Sequence, residues 1–413
     1  MKSIELFAGA GGLAIATANA GFDHEAVLEW DQNACDTIRR NGAAGLPHVR
    51  DWNVVQGDVS EYDFKQHAGH VEFVSGGPPC QPFSIGGKHK GVDDRRNMFP
   101  HAVRAVREIA PKAFLFENVK GILRKNFANY YNYILQQLTY PEIVRKGDEE
   151  WTDHHARLEK AITGGKHKGL KYNVVFQLLN AADYGVPQRR ERVLIVGVRA
   201  DIGITFSYPT PTHEEDALLY DKWVSGSYWE RHKVAKRNRP KPPDRLSSRL
   251  DRLSCLWTSA MLRPWQTVRD VISDLPQIGP GERCAKFPNH FFNPGARAYA
   301  GHNGSPLDEP AKTLKAGDHG VPGGENMLRM PDGSVRYFSV RECARIQTFP
   351  DEWVLEGSWT ESMRQLGNAV PVAMAQVVAS ELCRMVKQCD HAPYDVRRGS
   401  RSNVRPLRGP AKR

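Results

Sequence analysis

Cys80 lies in Gly76-Gly77-Pro78-Pro79-Cys80-Gln81-Pro82-Phe83-Ser84, directly after the apolar run Val71-Glu72-Phe73-Val74. Pro78 and Pro79 fix φ on one side of the thiol and Pro82 on the other, so it is presented on stiff backbone. Most lone cysteines are small buried apolar residues. Presentation at the end of a buried strand, where open α/β sheets bind ligands, makes this one a candidate nucleophile. An ordinary thiol, with a pKa near ~8.5, is only a few per cent ionised at neutrality, so its chemistry needs a lowered pKa or a base. A carboxylate, Glu117, follows the apolar run Ala113-Phe114-Leu115-Phe116, and Arg190 and Arg192 precede a further one, Val193-Leu194-Ile195-Val196-Gly197. In a parallel sheet Cys80 and Glu117 come from loops on one edge and face one pocket, although a capping or ion-paired carboxylate would look the same in sequence. Arginines that begin a buried strand need a carboxylate, a carbonyl or a phosphate as partner.

The elements that must position these groups begin at the amino terminus. Ser3 to Ala8 reads as a strand, Gly9-Ala10-Gly11-Gly12 as a tight turn, and Leu13 to Ala20 as a helix ended by Gly21. Strand, glycine turn and helix make a nucleotide-binding opening, and Glu29, at the end of a second strand, follows Gly9 by 20 residues, the spacing of a ribose-binding carboxylate. Residues 9–14 also fit Gly-x-Gly-x-x-Ala, which leaves a nicotinamide dehydrogenase open. Phe7 before the turn, placed to lie over an adenine, and Trp30 after the carboxylate are not required by a dinucleotide site. A third strand ends at Asp58, which either meets an adenine amino group or caps the next turn.

The rest of the chain reads as follows. Helices are expected over Asn33 to Arg40 and Asn97 to Ile109, a strand over Tyr172 to Leu179, and a charged, irregular surface insertion over 141–170. From 208 to 336 prolines, tryptophans and basic residues replace long periodic runs, which predicts a second domain of short strands and loops. Within it Arg297, Tyr299, Lys312, Thr313 and Lys315 interleave basic and aromatic character as nucleic-acid surfaces do. Gly-Gly-Lys-His-Lys-Gly occurs at 86–91 and again at 164–169; the first copy is a candidate lid with Lys88 and Lys90 on phosphates. Helices over Val340 to Gln347 and from Pro371 to about Gln388 complete the first domain. The organisation expected is therefore 1–207 and 337–389 as one catalytic unit, 208–336 as a second, smaller domain, and 390–413 as a basic, disordered tail.

Composition sets outer bounds. The chain has 413 residues and a net charge of +10, of which the tail, with seven Lys/Arg against Asp390 and Asp395, holds half. This is a mild polyanion signal. Seven cysteines without a Cys-x-x-Cys pair argue against a disulfide framework and a structural zinc site, so no metal is expected. No apolar run of membrane-spanning length is evident, and a cytoplasmic monomer is expected.

Taken together, these residues resemble the DNA (cytosine-5) methyltransferases over nearly the whole chain and in the family's order. Phe7 to Gly12 is similar to the first motif, Pro78 to Gln81 to the catalytic motif, Glu117-Asn118-Val119 to the glutamate motif, Gln188 to Arg192 to the arginine motif, Arg341 to Pro350 to the penultimate motif and Gln365 to Pro371 to the last. The resemblance implies a Rossmann-like, S-adenosylmethionine-dependent α/β sheet with a smaller target-recognition domain at 208–336. It implies that Phe7, Gly9, Gly11, Gly12, Glu29, Trp30, Asp58, Pro79 and Asn368 line the cofactor pocket. Cys80 would be the nucleophile, with Glu117 and Arg192 holding the target base, Arg190 ordering the carboxylate or a phosphate, and Ser84, Lys88 and Lys90 on the DNA. Double-stranded DNA and a cognate restriction endonuclease are the partners it implies. A tRNA methyltransferase can share these motifs, but the long segment between Arg192 and Tyr337 favours a reader of duplex DNA. A nicotinamide enzyme needs neither Pro-Pro-Cys nor the second glutamate, and a silent DNA-binding protein needs none of Cys80, Glu117 and Arg192.

Overall fold

The computed structural model describes residues 1–79, 97–165, 167–255, 262–317 and 326–390, with side chains through 388. Cys80, Ser84, Lys88 and Lys90, with the lid expected around them, and the tail beyond 390 lie outside the described residues. The first part of the chain alternates strands and helices: β1 (Lys2–Leu6), α1 (Gly12–Asn19), β2 (Asp23–Glu29), α2 (Gln32–Ala43), β3 (Val54–Gln56), β4 (Phe73–Gly76), α3 (Phe99–Ile109), β5 (Ala113–Val119), α4 (Ala128–Thr139), α5 (Trp151–Gly164), β6 (Tyr172–Asn180) and β7 (Glu191–Arg199). The strands form one sheet in the order β3-β2-β1-β4-β5-β7-β6. β1 to β5 are parallel, and β7 runs antiparallel to both of its neighbours. Winding reverses between β1 and β4, so the carboxyl ends of these two strands open the crevice where such sheets bind ligands. The antiparallel β7 departs from the 3-2-1-4-5-6 order of dinucleotide-binding sheets, which weakens the nicotinamide alternative.

Alternation along the strands explains why their sequences read as continuous apolar runs. Phe114, Phe116, Val193 and Ile195 pack on one face with Phe99, Val103 and Ile134 of α3 and α4. Leu115, Leu194, Val196 and Val198 pack on the other with Leu13, Ala14 and the carboxyl-terminal helices. Both faces are therefore covered, as the parallel part of the sheet requires.

The structure corrects three expectations. Residues 141–170 are not irregular: α5 lies there, burying His154 and Leu158, with Tyr133 donating to or accepting from His154 Nδ1 at 2.7 Å and Trp151 packed edge-on to Tyr130. Its polar majority hid a narrow apolar face. Residues 208–336 contain more helix than expected: β8 (His213–Glu214), α6 (Glu215–Leu219), α7 (Ser227–Arg231), α8 (Ser247–Ser254), β9 (Arg263–Pro264), α9 (Val268–Ile272), β10 (Ser305–Pro306), β11 (Met327–Arg329) and β12 (Val335–Tyr337). The region has a small core of its own, in which Leu218, Tyr228, Trp229 and Trp265 meet Ala182. Val268, Ile272, Leu314 and Leu328 instead join the core of the main sheet. The chain then closes with α10 (Val340–Ile346), α11 (Trp359–Asn368) and α12 (Val372–Asp390). Contrary to the sequence reading, the stretch Trp359–Gln388 has the length and composition of a membrane span, with a window of mean hydropathy 1.4. Val372, Met374, Ala375, Val378 and Leu382 of α12 are buried in the core, however, so the helix is apolar because it packs inside the protein.

Candidate active site

The carboxyl ends of β1 and β2 build one wall. Phe7 has φ +55, an uncommon conformation for a residue with a side chain, and its ring is half-buried. Gly9 (φ +53) and Gly11 (φ +88) complete the turn into α1, and a Cβ on Gly9 would meet nothing within 4 Å. Gly12 is needed for the opposite reason: a Cβ there would come within 2.6 Å of the Val370 carbonyl, so its absence lets the chain before α12 close on α1. Glu29 Oε2 accepts from the Gly9 amide at 2.6 Å, and Oε1 accepts from the Trp30 and Asp31 amides at 2.9 and 2.8 Å. A carboxylate oxygen offers two lone pairs, so Oε2 retains one for a hydroxyl. Trp30 is 72% exposed beside it. Asp58 is exposed and caps a short turn by accepting from the Ser60 amide at 2.8 Å, a contact that holds its carboxyl below the usual range. Asn368 is exposed at the end of α11. Open space at the glycine turn, an anchored carboxylate and available aromatic faces fit a cofactor that carries a nucleoside.

The second wall leads to the cysteine. Asn118 of β5 donates to the Pro78 carbonyl at 2.9 Å, and the Pro79 carbonyl accepts from the Met98 amide at 3.1 Å. The chain is thus pinned on both residues that precede Cys80. Glu117 adjoins it, since a Cβ on Gly77 would stand 3.3 Å from Glu117 Oε2. Parallel pairing of β4 with β5 brings the two loops to one edge, as expected.

Arg192, at the start of β7, places Nε 2.7 Å from Glu117 Oε1, with both side chains largely buried. Neither atom has a well-directed hydrogen bond, so the contact is one of charge more than of alignment. Burial pushes the Glu117 carboxyl up, against the opposing pull of Arg192 and Arg190. Arg190 takes a different place from the one expected of it. It is fully buried and donates to the Leu314 carbonyl at 2.9 Å and to the Gly367 and Ala369 carbonyls at 2.6 and 2.9 Å. Three carbonyls are its hydrogen-bond partners, and the carboxylate is not among them. Gln188 and Gln347, which the sequence reading passed over individually, extend this network: Gln188 Oε1 accepts from the Leu314 amide at 3.0 Å, Gln188 Nε2 donates to Gln347 Oε1 at 3.1 Å, and Gln347 Nε2 donates to the Leu366 carbonyl at 2.6 Å.

The segment 310–315 is fastened to the arginine motif along its length. The Ala311 amide donates to the Pro187 carbonyl and the Arg189 amide to the Ala311 carbonyl, both at 2.8 Å, and the Thr313 hydroxyl donates to the Arg189 carbonyl at 2.7 Å. Lys312, Thr313 and Lys315 line an open cleft of about 580 Å³ together with Arg189, Arg245 and Arg329. Arg245 and Arg329 were invisible to sequence reasoning because they lie far apart in a region rich in basic residues. Arg297 and Tyr299 are exposed but do not line this cleft; Tyr299 packs on His302 with ring centroids 4.6 Å apart.

Sheet order and crevice place the protein among Rossmann-like α/β methyltransferases. The fission yeast (S. pombe) Dnmt2 methyltransferase has the same fold at 16% identity, with a TM-score of 0.51 and coverage of 94% of this chain and 99% of that one. The profile of the C-5 cytosine-specific DNA methylases matches residues 1–140 and 152–384, and the chain belongs to that family. It is 33% identical to the type II methyltransferase M.Eco47II of Escherichia coli over 93% of this chain and 79% of the relative. It is 32% identical to the type II methyltransferase M.PspPI of Psychrobacter over 95% and 80%. Apart from 385–413 at the end of the chain, the stretch outside the family match is 141–151, so most of α5 lies within the match and the loop before it stands apart.

Proposed function

We propose that this DNA (cytosine-5) methyltransferase acts through a covalent adduct between Cys80 and carbon 6 of a cytosine swung out of duplex DNA, with S-adenosylmethionine as methyl donor. The observation that carries the reading is the buried Glu117 next to Gly77, its neighbour Asn118 holding the Pro78 carbonyl and Arg192 at 2.7 Å. Carbon 5 of cytosine is too weak a nucleophile to be methylated directly. Attack of the Cys80 thiolate on carbon 6 turns the ring into an enamine with a nucleophilic carbon 5. The charge that develops on the ring falls on nitrogen 3, where Glu117, its proton favoured by burial, donates or hydrogen-bonds. Arg192 contacts the ring carbonyl. S-adenosylmethionine, when bound, supplies an electrophilic sulfonium methyl to carbon 5. Loss of the carbon-5 proton to a base then lets the bond between Cys80 and carbon 6 break, which restores the ring and the thiolate. Phe7 and Trp30 flank the adenine, Glu29 takes the ribose hydroxyls, and Asp58, Pro79, Asn368 and the turn Gly9, Gly11 and Gly12 complete the cofactor pocket.

Stacked bases leave no room for a thiol and a sulfonium on carbons 5 and 6, which is why the cytosine leaves the duplex. We assign 208–336 to target recognition, 1–207 and 337–389 to catalysis, Ser84, Lys88 and Lys90 to DNA contacts of the catalytic loop, and the protein to the cytoplasm as a monomer that protects DNA from a cognate restriction endonuclease. Methyl transfer from labelled S-adenosylmethionine to duplex DNA and to tRNA tests the substrate, with duplex DNA expected. Cys80→Ala should abolish transfer and leave cofactor binding near intact, because it removes the nucleophile but no pocket wall. Full activity of that variant would rule out the covalent route.

A further inference from the structure

We propose that Glu25, His67 and His70 form a binding site for a divalent late first-row metal ion such as zinc, at the end of the sheet opposite the catalytic edge. Glu25 lies near the start of β2, four residues before Glu29, which puts it about 13 Å of strand away from the cofactor wall. His67 ends a short helical turn, Lys65–His67, and His70 follows after Gly69, whose φ of +82 turns the chain back toward β2. Glu25 Oε1 is 2.9 Å from His67 Nδ1 and 3.0 Å from His70 Nε2, and the three donor atoms all lie within 4.8 Å of one another.

These separations suit metal ligation. Bonds of about 2.0–2.1 Å to a tetrahedral ion put its ligand atoms about 3.3 Å apart, so Glu25 and each imidazole need to open by a few tenths of an ångström, with the two imidazole nitrogens, within 4.8 Å of each other, settling to that spacing around the ion. The donor set is one carboxylate and two imidazoles, the type that zinc and its neighbours in the series accept. Tyr62 supports it from outside, with its hydroxyl 2.8 Å from His67 Nε2. A hydroxyl both donates and accepts. Without metal, Tyr62 donates to Nε2 while Nδ1–H faces Glu25; with metal, Nε2–H donates to Tyr62 and the Nδ1 lone pair is freed. Outer hydrogen bonds of this kind orient ligating histidines. His67 is buried whereas Glu25 and His70 are partly open, which leaves a side from which an ion and a fourth, water ligand can enter. Cysteine spacing could not show this site, because its carboxylate is 42 residues from the nearer histidine.

The test is zinc titration of the full-length, chelator-treated protein by calorimetry, with thermal unfolding in parallel. One equivalent should bind, and zinc should raise the unfolding temperature. His70→Ala and Glu25→Gln, at partly exposed positions where the fold tolerates change, should each weaken that binding at least tenfold and remove the thermal shift. Tyr62→Phe should weaken it less. Absence of stoichiometric zinc binding to the parent protein, or binding by both ligand variants as tight as the parent's, would overturn the proposal.

Discussion

Arg192 Nε approaches Glu117 Oε1 to 2.7 Å between the neighbouring strands β5 and β7, yet neither atom makes a well-directed hydrogen bond. A pair held by charge and left unsaturated in direction is suited to share itself with a substrate. Arg192→Ala leaves Glu117 buried beside Arg190 only, and should cost about 3–5 kcal/mol of stability together with most of the turnover. Glu117→Gln should keep the fold and lose about 10²-fold or more in kcat. Burial already raises the Glu117 carboxyl, so ionisation at higher pH works against the folded state, and without Arg192 it does so more strongly. The deficit of Arg192→Ala should therefore stay constant while both folded proteins hold the Glu117 proton and widen only once the pH passes the parent's own raised value for this carboxyl. Urea unfolding across pH measures it; a deficit that narrows with rising pH would contradict this electrostatic account.

Arg190 joins three parts of the chain through the carbonyls of Leu314, Gly367 and Ala369. Its expected role is positioning, by locking the segment 310–315 to the catalytic unit. Arg190→Lys preserves charge but cannot span all three acceptors, and should cost about 3 kcal/mol or more, since hydrogen bonds to charged groups contribute roughly 1.5–3 kcal/mol each. Cofactor affinity should fall too, because the Gly367 and Ala369 carbonyls flank Asn368, and catalysis on DNA should fall further, because the segment 310–315 is released as well. A change in unfolding free energy below about 0.5 kcal/mol would show that these bonds are replaceable.

Glu5 stands in the middle of β1 opposite Ser75 of β4, whose hydroxyl donates to it, and its Oε1 has no partner. Complete burial pushes its pKa up to about 8. Below the unfolded value, near about 4.3, both states hold the proton and nothing is lost; above it the unfolded chain ionises first, so stability falls by up to about 1.4 kcal/mol per pH unit until the folded state ionises as well. Glu5→Gln keeps the shape and removes this slope. Its stability relative to the parent should therefore improve steadily from about pH 5 to about pH 8 in urea titrations, and a constant difference would show that Glu5 is not protonated in the fold.

Cations around the 310–315 segment should divide into two classes. Arg245 and Arg329, which line the cleft beside Lys312 and Lys315, are expected to contact phosphates: alanine at either should weaken all sequences alike and lower the salt slope of binding by about 0.9. Base readers should come from 295–330, with Arg297, Tyr299, Lys312, Thr313 and Lys315 the candidates, and alanine at a reader should cost ~1–3 kcal/mol at one position and relax the methylated sequence there. Sequencing methylcytosines in DNA from cells that express each variant separates the classes. If no change across 295–330 alters the sites, recognition must reside in 208–294.

The local sequence determined much of the catalytic unit, because its signals are short-range. Short apolar runs specify β1, β4, β5 and β7, and the glycine turn dictates its own backbone. Glu29 and Glu117 could be placed at strand ends by counting. The same logic failed where a short polar segment buries a narrow face, as in α5, and where proline and basic composition concealed the helices α6 to α9. Only the tertiary structure decided which partner each charged residue takes. Arg190 and Arg192, two positions apart in one motif, go to three backbone carbonyls and to a carboxylate respectively. Glu25 met His67 and His70 only because β2 and the turn before β4 lie at the same end of the sheet. Composition and spacing act along the chain over a few residues, whereas the partner of a buried charge depends on strand order and on the closure of α12 over α1, contacts made between residues hundreds of positions apart.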